Sequence, residues 1–543
     1  MSETPTPRPG GHHGPQGWVG DWSARRATLT PDRVGLVDAT TGREFTYADL
    51  NRRANRCARW LAEFGVRARA DGENEDGDGA GTGHGSAGGR VAVVSRNRPA
   101  VVDLFFATGK TGGVLAPLSH RLAPPELAEL LEAVDPSLLV VEEAFAGTVS
   151  AALDHDAYTG EAPVRSLAVD GEATWPAYGD EHPADGSASD GPALAPGDPH
   201  LFLHTGGSTG VPKETVLSHE AIVWNSLNTI TAWGLRPDDV TPLTFPMFHT
   251  GGWNVITLPL VHMGGEVVIA REFDPGEVLS VVEDRTATVL VAVPAVLRMM
   301  VEHDRWAATD LSTLRFAKSG GGPCREAVMD AWWDRGVDLS QGYGLTECGP
   351  NNFAMPEDWP REKADTVGVP NTHVDARVVD DDGRRCETGE TGELQLRSPH
   401  AAEGYWRDPD ETGATFGEWV ATGDLARVDA EGYVTIAGRK KNMYVSGGEN
   451  VYPAEVEDAI ADHPAVSEVV VVPVPDDQWG QVGKAVVELV DPGDPLPLSE
   501  LTEFLDGRLA RYKHPRALAF VDEMPTSGPS KIDREAVAEE FGE

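Results

Sequence analysis

The chain has 543 residues, 40% of them hydrophobic, and carries 87 Asp and Glu against 45 Lys and Arg, a net charge of −42. The length allows several domains with full cores. The charge argues against a nucleic-acid partner, whose phosphates would be repelled, and no run of about 18 apolar residues is present to form a transmembrane helix. Acidic residues are spread along the whole chain, and only nine lysines occur. So dispersed a negative surface suits a halophilic, cytoplasmic protein. It repels anions and other copies of itself at low ionic strength, and about 1 M salt shortens the Debye length to ~3 Å and screens that repulsion.

In chain order, residues 1–25 open with MSETPTPRPGGHHGPQG. They read as a disordered tail and lack the apolar stretch of a secretory leader. Residues 26–437 read as one large unit. Two segments in it, the acidic, Gly-rich 71–89 and the similar 183–198, carry too few hydrophobes to bury a core and are expected to be a flexible insertion and a flexible loop. Around them short apolar runs alternate with amphipathic stretches. Residues 90–94, 266–270, 288–292 and 314–318 read as strands, and 98–112, 275–284, 294–303 and 323–335 as helices. That alternation predicts parallel, doubly wound sheets. From about 371 the texture changes to short strands (374–380, 392–397, 432–437) suited to a small barrel or antiparallel sheet. After a boundary at 438–441, residues 442–543 read as α+β: helices over 453–461 and 498–510, strands over 467–472 and 484–490. The fold class is therefore α/β: a large N-terminal domain of two doubly wound sheets plus a small β-barrel, with a small mobile α+β C-terminal domain. The four cysteines, Cys57, Cys324, Cys348 and Cys386, include no CxxC pair, which suggests neither a zinc site nor a disulfide framework.

The densest chemistry lies in His204–Glu214, HTGGSTGVPKE, directly after the apolar run 201–203. Its glycines let the backbone curl around an oxyanion, successive N–H groups form an anion nest, and Thr205, Ser208, Thr209 and Lys213 add donors and charge. It is not a Walker A loop, because Pro212 precedes the lysine and Glu214 follows it. Six further segments follow: PMFHTGG from Pro246, SGGGP from Ser319, QGYGLTE from Gln341, TGD from Thr422, GRKK from Gly438 with VSGGENVYPAEVE from Val445, and PTSGPSKID from Pro525.

In this order and spacing the segments resemble those of the acyl-adenylate-forming superfamily, and most nearly acyl-CoA synthetases of the fatty-acid or aryl-acid kind, over roughly residues 30–540. The resemblance implies ATP, Mg²⁺ and CoA as reaction partners and a small carboxylic acid, expected to be a fatty acid, as substrate. An aryl acid, or a carrier protein in place of CoA, is the alternative. It implies that Thr205, Gly206, Gly207, Ser208, Thr209, Gly210 and Lys213 cradle the triphosphate. Gly321, Gly322 and Pro323, with Gln341, Gly342, Tyr343 and Gly344, would flank the adenine. Thr346 would touch the α-phosphate, Glu347 would hold Mg²⁺, and Asp424 would accept from the ribose hydroxyls. Arg439 would contact ribose or phosphate, Lys441 would be the hinge pivot, and Asn450 would lie near the nucleotide. Gly447 and Gly448 would let pantetheine pass, His249 would line the acyl pocket and gate the thiol, and Lys531 would be the catalytic lysine. Ser530 stands where many relatives have glycine before that lysine. Lys213, Lys441 and Lys531 are three of the nine lysines.

Trp253, Asn254 and Lys318 are further candidates for the acyl pocket, although Lys318 reads more simply as the solvated end of its strand. A peptide-synthetase-type adenylation domain is disfavoured because Thr250 replaces the Asp that would bind an α-amine. A degenerate nucleotide-binding regulator is disfavoured because Glu347, Asp424, Arg439 and Lys531 are all present. A homodimer is compatible with this class. From the charge, the unfolding temperature is expected to rise between about 0.2 and about 3 M KCl; a flat or falling midpoint in a thermal-melt series would contradict the halophile reading.

Overall fold

The computed structural model describes residues 19–68, 87–167, 173–188, 191–205, 213–446, 449–476, 479–493, 496–506, 508–526 and 532–542. The first sheet has seven strands, in the order Gly404–Tyr405, Lys213–Ser218, Pro199–Thr205, Val114–Leu118, Arg90–Val94, Leu138–Glu142 and Val164–Leu167. The last five run parallel, and Lys213–Ser218 returns antiparallel beside Pro199–Thr205. Arg90–Val94, Val114–Leu118 and Leu138–Glu142 are buried along their whole length, which explains why all but their end residues Arg90 and Glu142 are apolar.

The second layer orders Arg43–Thr46, Val34–Asp38, Glu266–Ile269 and Val240–Leu243. It continues through Thr288 N–H to Val240 O into Val289–Ala292, Phe316–Ser319 and Leu339–Gln341. All of these run parallel except Arg43–Thr46. A core of Phe105, Trp60, Trp253, Leu203 and Val267 fills the space between the layers. Trp253 is fully buried, stacks on Phe105 at 4.9 Å and donates to Met247 O at 2.6 Å, so it is a packing residue.

Of the two forms expected here, a small barrel or an antiparallel sheet, the described strands Asp375–Val379, Gly392–Arg397, Val420–Val428 and Val434–Arg439 take the second, a four-stranded antiparallel sheet. Its apolar face, Val378, Leu394, Leu396 and Val434, closes against Phe353 and Val367, which removes the need for a ring of strands. Beyond Asn442 a five-stranded sheet carries the helices Pro453–Ala461 and Leu498–Leu505 over a core of Val456, Ile460, Val487 and Leu501, and the helix Arg534–Phe541 over a second one of Val470, Val486 and Val537. The helix expected to reach 510 stops at Leu505, because Asp506 is extended (φ −61°, ψ 123°) and Gly507 follows.

Three loop boundaries move. Residues 19–25 belong to the fold rather than to a tail: Val19 is buried, and Asp21 caps the helix Trp22–Leu29 through Ala24 N–H (3.1 Å) and pairs with the buried Lys110 ammonium at 2.5 Å. The end of the expected insertion is core, because a Cβ on Gly89 would meet Gly65 O at 1.9 Å. Residues 71–86 lie outside the described residues. The described part of 183–198 is anchored to the helix Tyr47–Glu63: Asn55 donates to Gly186 O at 2.9 Å, and Leu194 is buried. No helix among the described residues is long and apolar enough to cross a membrane.

Two buried carboxyls interrupt the apolar pattern of the first sheet: Glu142, which is paired with Arg96 and Arg98, and Glu214. Glu214 faces His204 across the ladder and shares its face with Val216. It is buried, and neither carboxylate oxygen has a hydrogen-bond partner among the described residues. Burial pushes its carboxyl from 4.5 up to about 8. Between those values the folded chain holds a proton that the unfolded chain has released, so stability falls as pH rises through the window, by roughly 1.4 kcal/mol per pH unit at most. Glu214→Gln is expected to flatten that slope in urea titrations between about pH 5 and pH 8; parallel slopes for the two proteins would refute a neutral buried carboxyl.

Candidate functional site

The parallel strands of both layers end on one side, where ligands bind in open α/β sheets. Thr205 ends one strand and lies opposite Lys213 in the hairpin register. Gly206, Gly207, Ser208, Thr209 and Gly210, between these two residues, lie outside the described residues, as do Gly447, Gly448 and Lys531. Asn450 is placed by its backbone alone, in the strand Glu449–Val451.

From the second layer, Ser319 ends one strand and Gln341 another. The glycine loop after Ser319 uses a positive φ of 86° at Gly321, and a Cβ on Gly322 would meet nothing within 4 Å. The missing side chains therefore leave open backbone there. Gln341 fixes this loop: its Oε1 accepts from Cys324 N–H at 2.8 Å and its Nε2 donates to Ala364 O at 2.6 Å. Gly342 N–H donates to Ser319 O at 2.7 Å. Gly344 passes so close to Pro350 that a Cβ would meet Pro350 O at 2.0 Å. That closeness folds the segment back on itself and presents Thr346 and Glu347 in the short turn Thr346–Cys348.

Two polar contact chains gather residues far apart in sequence. In the first, Tyr343 OH donates to Asp424 Oδ2 at 2.5 Å, and Arg439 Nε lies 2.7 Å from Asp424 Oδ1. Burial raises the Asp424 carboxyl above the usual range, opposed by the Arg439 guanidinium and the Tyr343 hydroxyl, and burial holds the Tyr343 hydroxyl well above its ordinary value. In the second, Tyr405 OH donates to Glu347 Oε1 at 2.9 Å, the Lys213 ammonium sits 5.4 Å over the Tyr405 ring, and Lys213 pairs with Glu411 at 2.7 Å. Sequence reasoning passed over Tyr405. The signal available was the aromatic pair Tyr405-Trp406 after Gly404, a short strand that docks on Lys213–Ser218.

His249 is exposed, with its ring 4.6 Å from Phe248 and 6.1 Å from His204. It precedes the single π-turn Gly251–Val255, a local widening often found at functional sites. The neighbouring Asn254 donates to Thr250 Oγ1 at 3.2 Å. Lys318 does not end its strand at a solvated edge. Its ammonium donates to Ser340 Oγ at 2.7 Å below the rings of Trp233 and Phe316, and burial pushes it down to about 8. Lys441 is exposed and pairs with Glu535 at 2.8 Å, across the start of the C-terminal unit.

Glu347 offers a half-buried carboxylate oxygen donor, the hard ligand type that Mg²⁺ takes together with substrate phosphates. No cluster of three metal-ligating side chains occurs among the described residues, so substrate oxygens would complete the shell of any Mg²⁺ held there.

The profile of the AMP-binding enzyme family matches residues 80–406, and that of the AMP-binding enzyme C-terminal domain matches residues 455–531. A feruloyl-CoA synthase of Amycolatopsis sp is 36% identical over 96% of this chain and 99% of its own. A long-chain-fatty-acid–CoA ligase, FadD13, of Mycobacterium tuberculosis is 32% identical over 96% and 98%. The crystal structure of ATP-bound MatB from Rhodopseudomonas palustris superposes with a TM-score of 0.84 at 29% identity, over 97% of this chain and 99% of its own; apo MatB superposes at 0.73 and 29%, over 96% and 99%. The chain belongs to the AMP-binding enzyme family.

Proposed function

We propose that the protein is an AMP-forming acid–thiol ligase that activates a carboxylic acid as its acyl-adenylate and transfers the acyl group to CoA. The observation that carries this reading is the convergence of Lys213, Tyr405 and Glu347 in one chain of contacts and of Tyr343, Asp424 and Arg439 in another. The first set suits a triphosphate and the second a nucleoside.

In the first half-reaction a carboxylate oxygen of the acid attacks the α-phosphorus of ATP and pyrophosphate leaves. Lys213 and the loop before it bind the departing phosphates, Thr346 donates to the α-phosphate, and Asp424 accepts from the ribose diol with its two oxygens. Mg²⁺ held at Glu347 would supply charge neutralisation on the phosphate oxygens. Lys531 places its positive charge between the acid and the α-phosphate. In the second half-reaction the CoA thiol attacks the acyl carbon and AMP leaves. Pantetheine enters past Gly447 and Gly448, with His249 at the acyl end. Lys531 serves the first step and the thiol enters for the second, and a turn of the unit after Lys441 between the two steps would serve both.

The acid we favour is aromatic rather than the fatty acid first expected. The support is the higher identity to the feruloyl-CoA synthase than to the fatty-acid ligase, together with the aromatic ring of Phe248 beside His249 and His204. The dispersed charge supports a salt-rich cytoplasm as the working compartment.

CoA-dependent AMP formation is to be measured in about 2 M KCl across cinnamates, benzoates, branched acids and straight-chain fatty acids. Turnover of cinnamates or benzoates is expected. Activity confined to fatty acids would restore the earlier expectation, and pyrophosphate release without CoA turnover would point to a carrier-protein acceptor. Lys531→Ala is expected to slow pyrophosphate release roughly 100-fold or more while sparing thioester formation from supplied acyl-AMP. Equal loss in both halves would remove Lys531 from its role.

A further inference from the structure

The unit after Asn442 is tethered to the large unit by one stretch, Val434–Arg439 followed by the turn Lys440–Asn442. Away from that tether, Glu468 of the strand Val466–Asp476 sits between two arginines of the large unit. Its Oε1 lies 3.3 Å from Arg298 Nη2 and its Oε2 lies 3.3 Å from Arg325 Nη2; Arg325 Nη2 also donates to Ser467 O at 2.7 Å. Arg325 follows directly on the segment Gly321–Cys324, whose last N–H is held by Gln341. A displacement of the C-terminal unit therefore pulls on a residue one peptide away from the glycine loop beside the proposed adenine site.

We propose that Glu468 is a positioning residue, held by Arg298 and Arg325 so that the C-terminal unit stays in the orientation that serves adenylate formation; its release accompanies the turn to thioester formation. The inference rests on the ligase reading above. Three observations support it. Both ion pairs join the units through residues outside the hinge stretch, so they bear on the relative orientation of the units. All three side chains are about 30% exposed, which makes the pairs weak and readily exchanged with water, as an interaction broken in every turnover must be. The chain also superposes better on the ATP-bound form of MatB than on its apo form, 0.84 against 0.73 at the same 29% identity.

The test uses the full chain with Glu468→Gln, which keeps the side-chain shape and removes the charge. Pyrophosphate release is expected to slow roughly three- to tenfold, thioester formation from supplied acyl-AMP to be unchanged or faster, and the unfolding midpoint to stay near that of the parent. The charge-reversed triple variant Arg298→Glu, Arg325→Glu, Glu468→Arg is expected to recover most of the loss. Equal slowing of both halves, or no change in either, would overturn the proposal. If the parent protein releases no pyrophosphate with any acid, the ligase reading fails by itself. Small-angle scattering with ATP then decides the positioning role: a changed profile for Glu468→Gln supports it and an identical one overturns it.

Discussion

Asp424 is the carboxylate on which the arrangement of the site depends. Each of its two oxygens is committed to a different part of the molecule, one to Tyr343 from the end of a parallel strand and one to Arg439 at the exit of the antiparallel sheet. A carboxylate buried this far is costly unless it is paired and hydrogen-bonded. Asp424 therefore joins the small sheet to the parallel layers, alongside the apolar contacts around Phe353. The same carboxylate offers the vicinal acceptors that a ribose needs. Fold and proposed function draw on one group, and its partner Arg439 is also the last residue before the turn Lys440–Asn442 that leads to the C-terminal unit.

Backbone proximity sets the rest of the geometry. Gly344 can approach Pro350 because it has no Cβ, and Asn352 N–H then reaches Tyr343 O at 3.0 Å. This closure forces Thr346 and Glu347 outward toward Tyr405. At Gly321 a positive φ turns the chain, and at Gly322 the absence of a side chain keeps the surface flat. Two glycines in one motif thus act for different reasons.

Charge is handled in two ways. Buried carboxylates in the large unit are matched by arginine forks: Asp103 by Arg53, Glu142 by Arg96 and Arg98, and Asp239 by Arg315. The guanidinium supplies planar, paired donors that an ammonium cannot, which fits a chain with few lysines. Glu214 and Lys318 lack such partners and are pushed toward neutrality by burial instead. Both lie next to segments that carry the proposed chemistry, Glu214 beside Lys213 and Lys318 beside the glycine loop, and perturbed groups gather at such places.

The sequence alone determined the α/β class, the order of the motifs and most strand and helix positions, because apolar periodicity and glycine, proline and hydroxyl spacing are local properties. Helix Pro453–Ala461 and strands Arg90–Val94 and Gly392–Arg397 were legible in this way. Tertiary structure decided what depends on neighbours far along the chain. Trp253 became core because Phe105 lies against it. Lys318 became a half-buried amine because Ser340, Trp233 and Phe316 lie around it. Residues 19–25 and 87–89 joined the fold because Lys110 and Gly65 meet them. Glu468 carried no local signal and Tyr405 only that of an aromatic pair, since each is given its place by partners from elsewhere in the chain: Arg298 and Arg325 for one, Glu347 and Lys213 for the other. Periodicity reports how a segment faces its own core; only the packed chain brings separate segments within reach of one another.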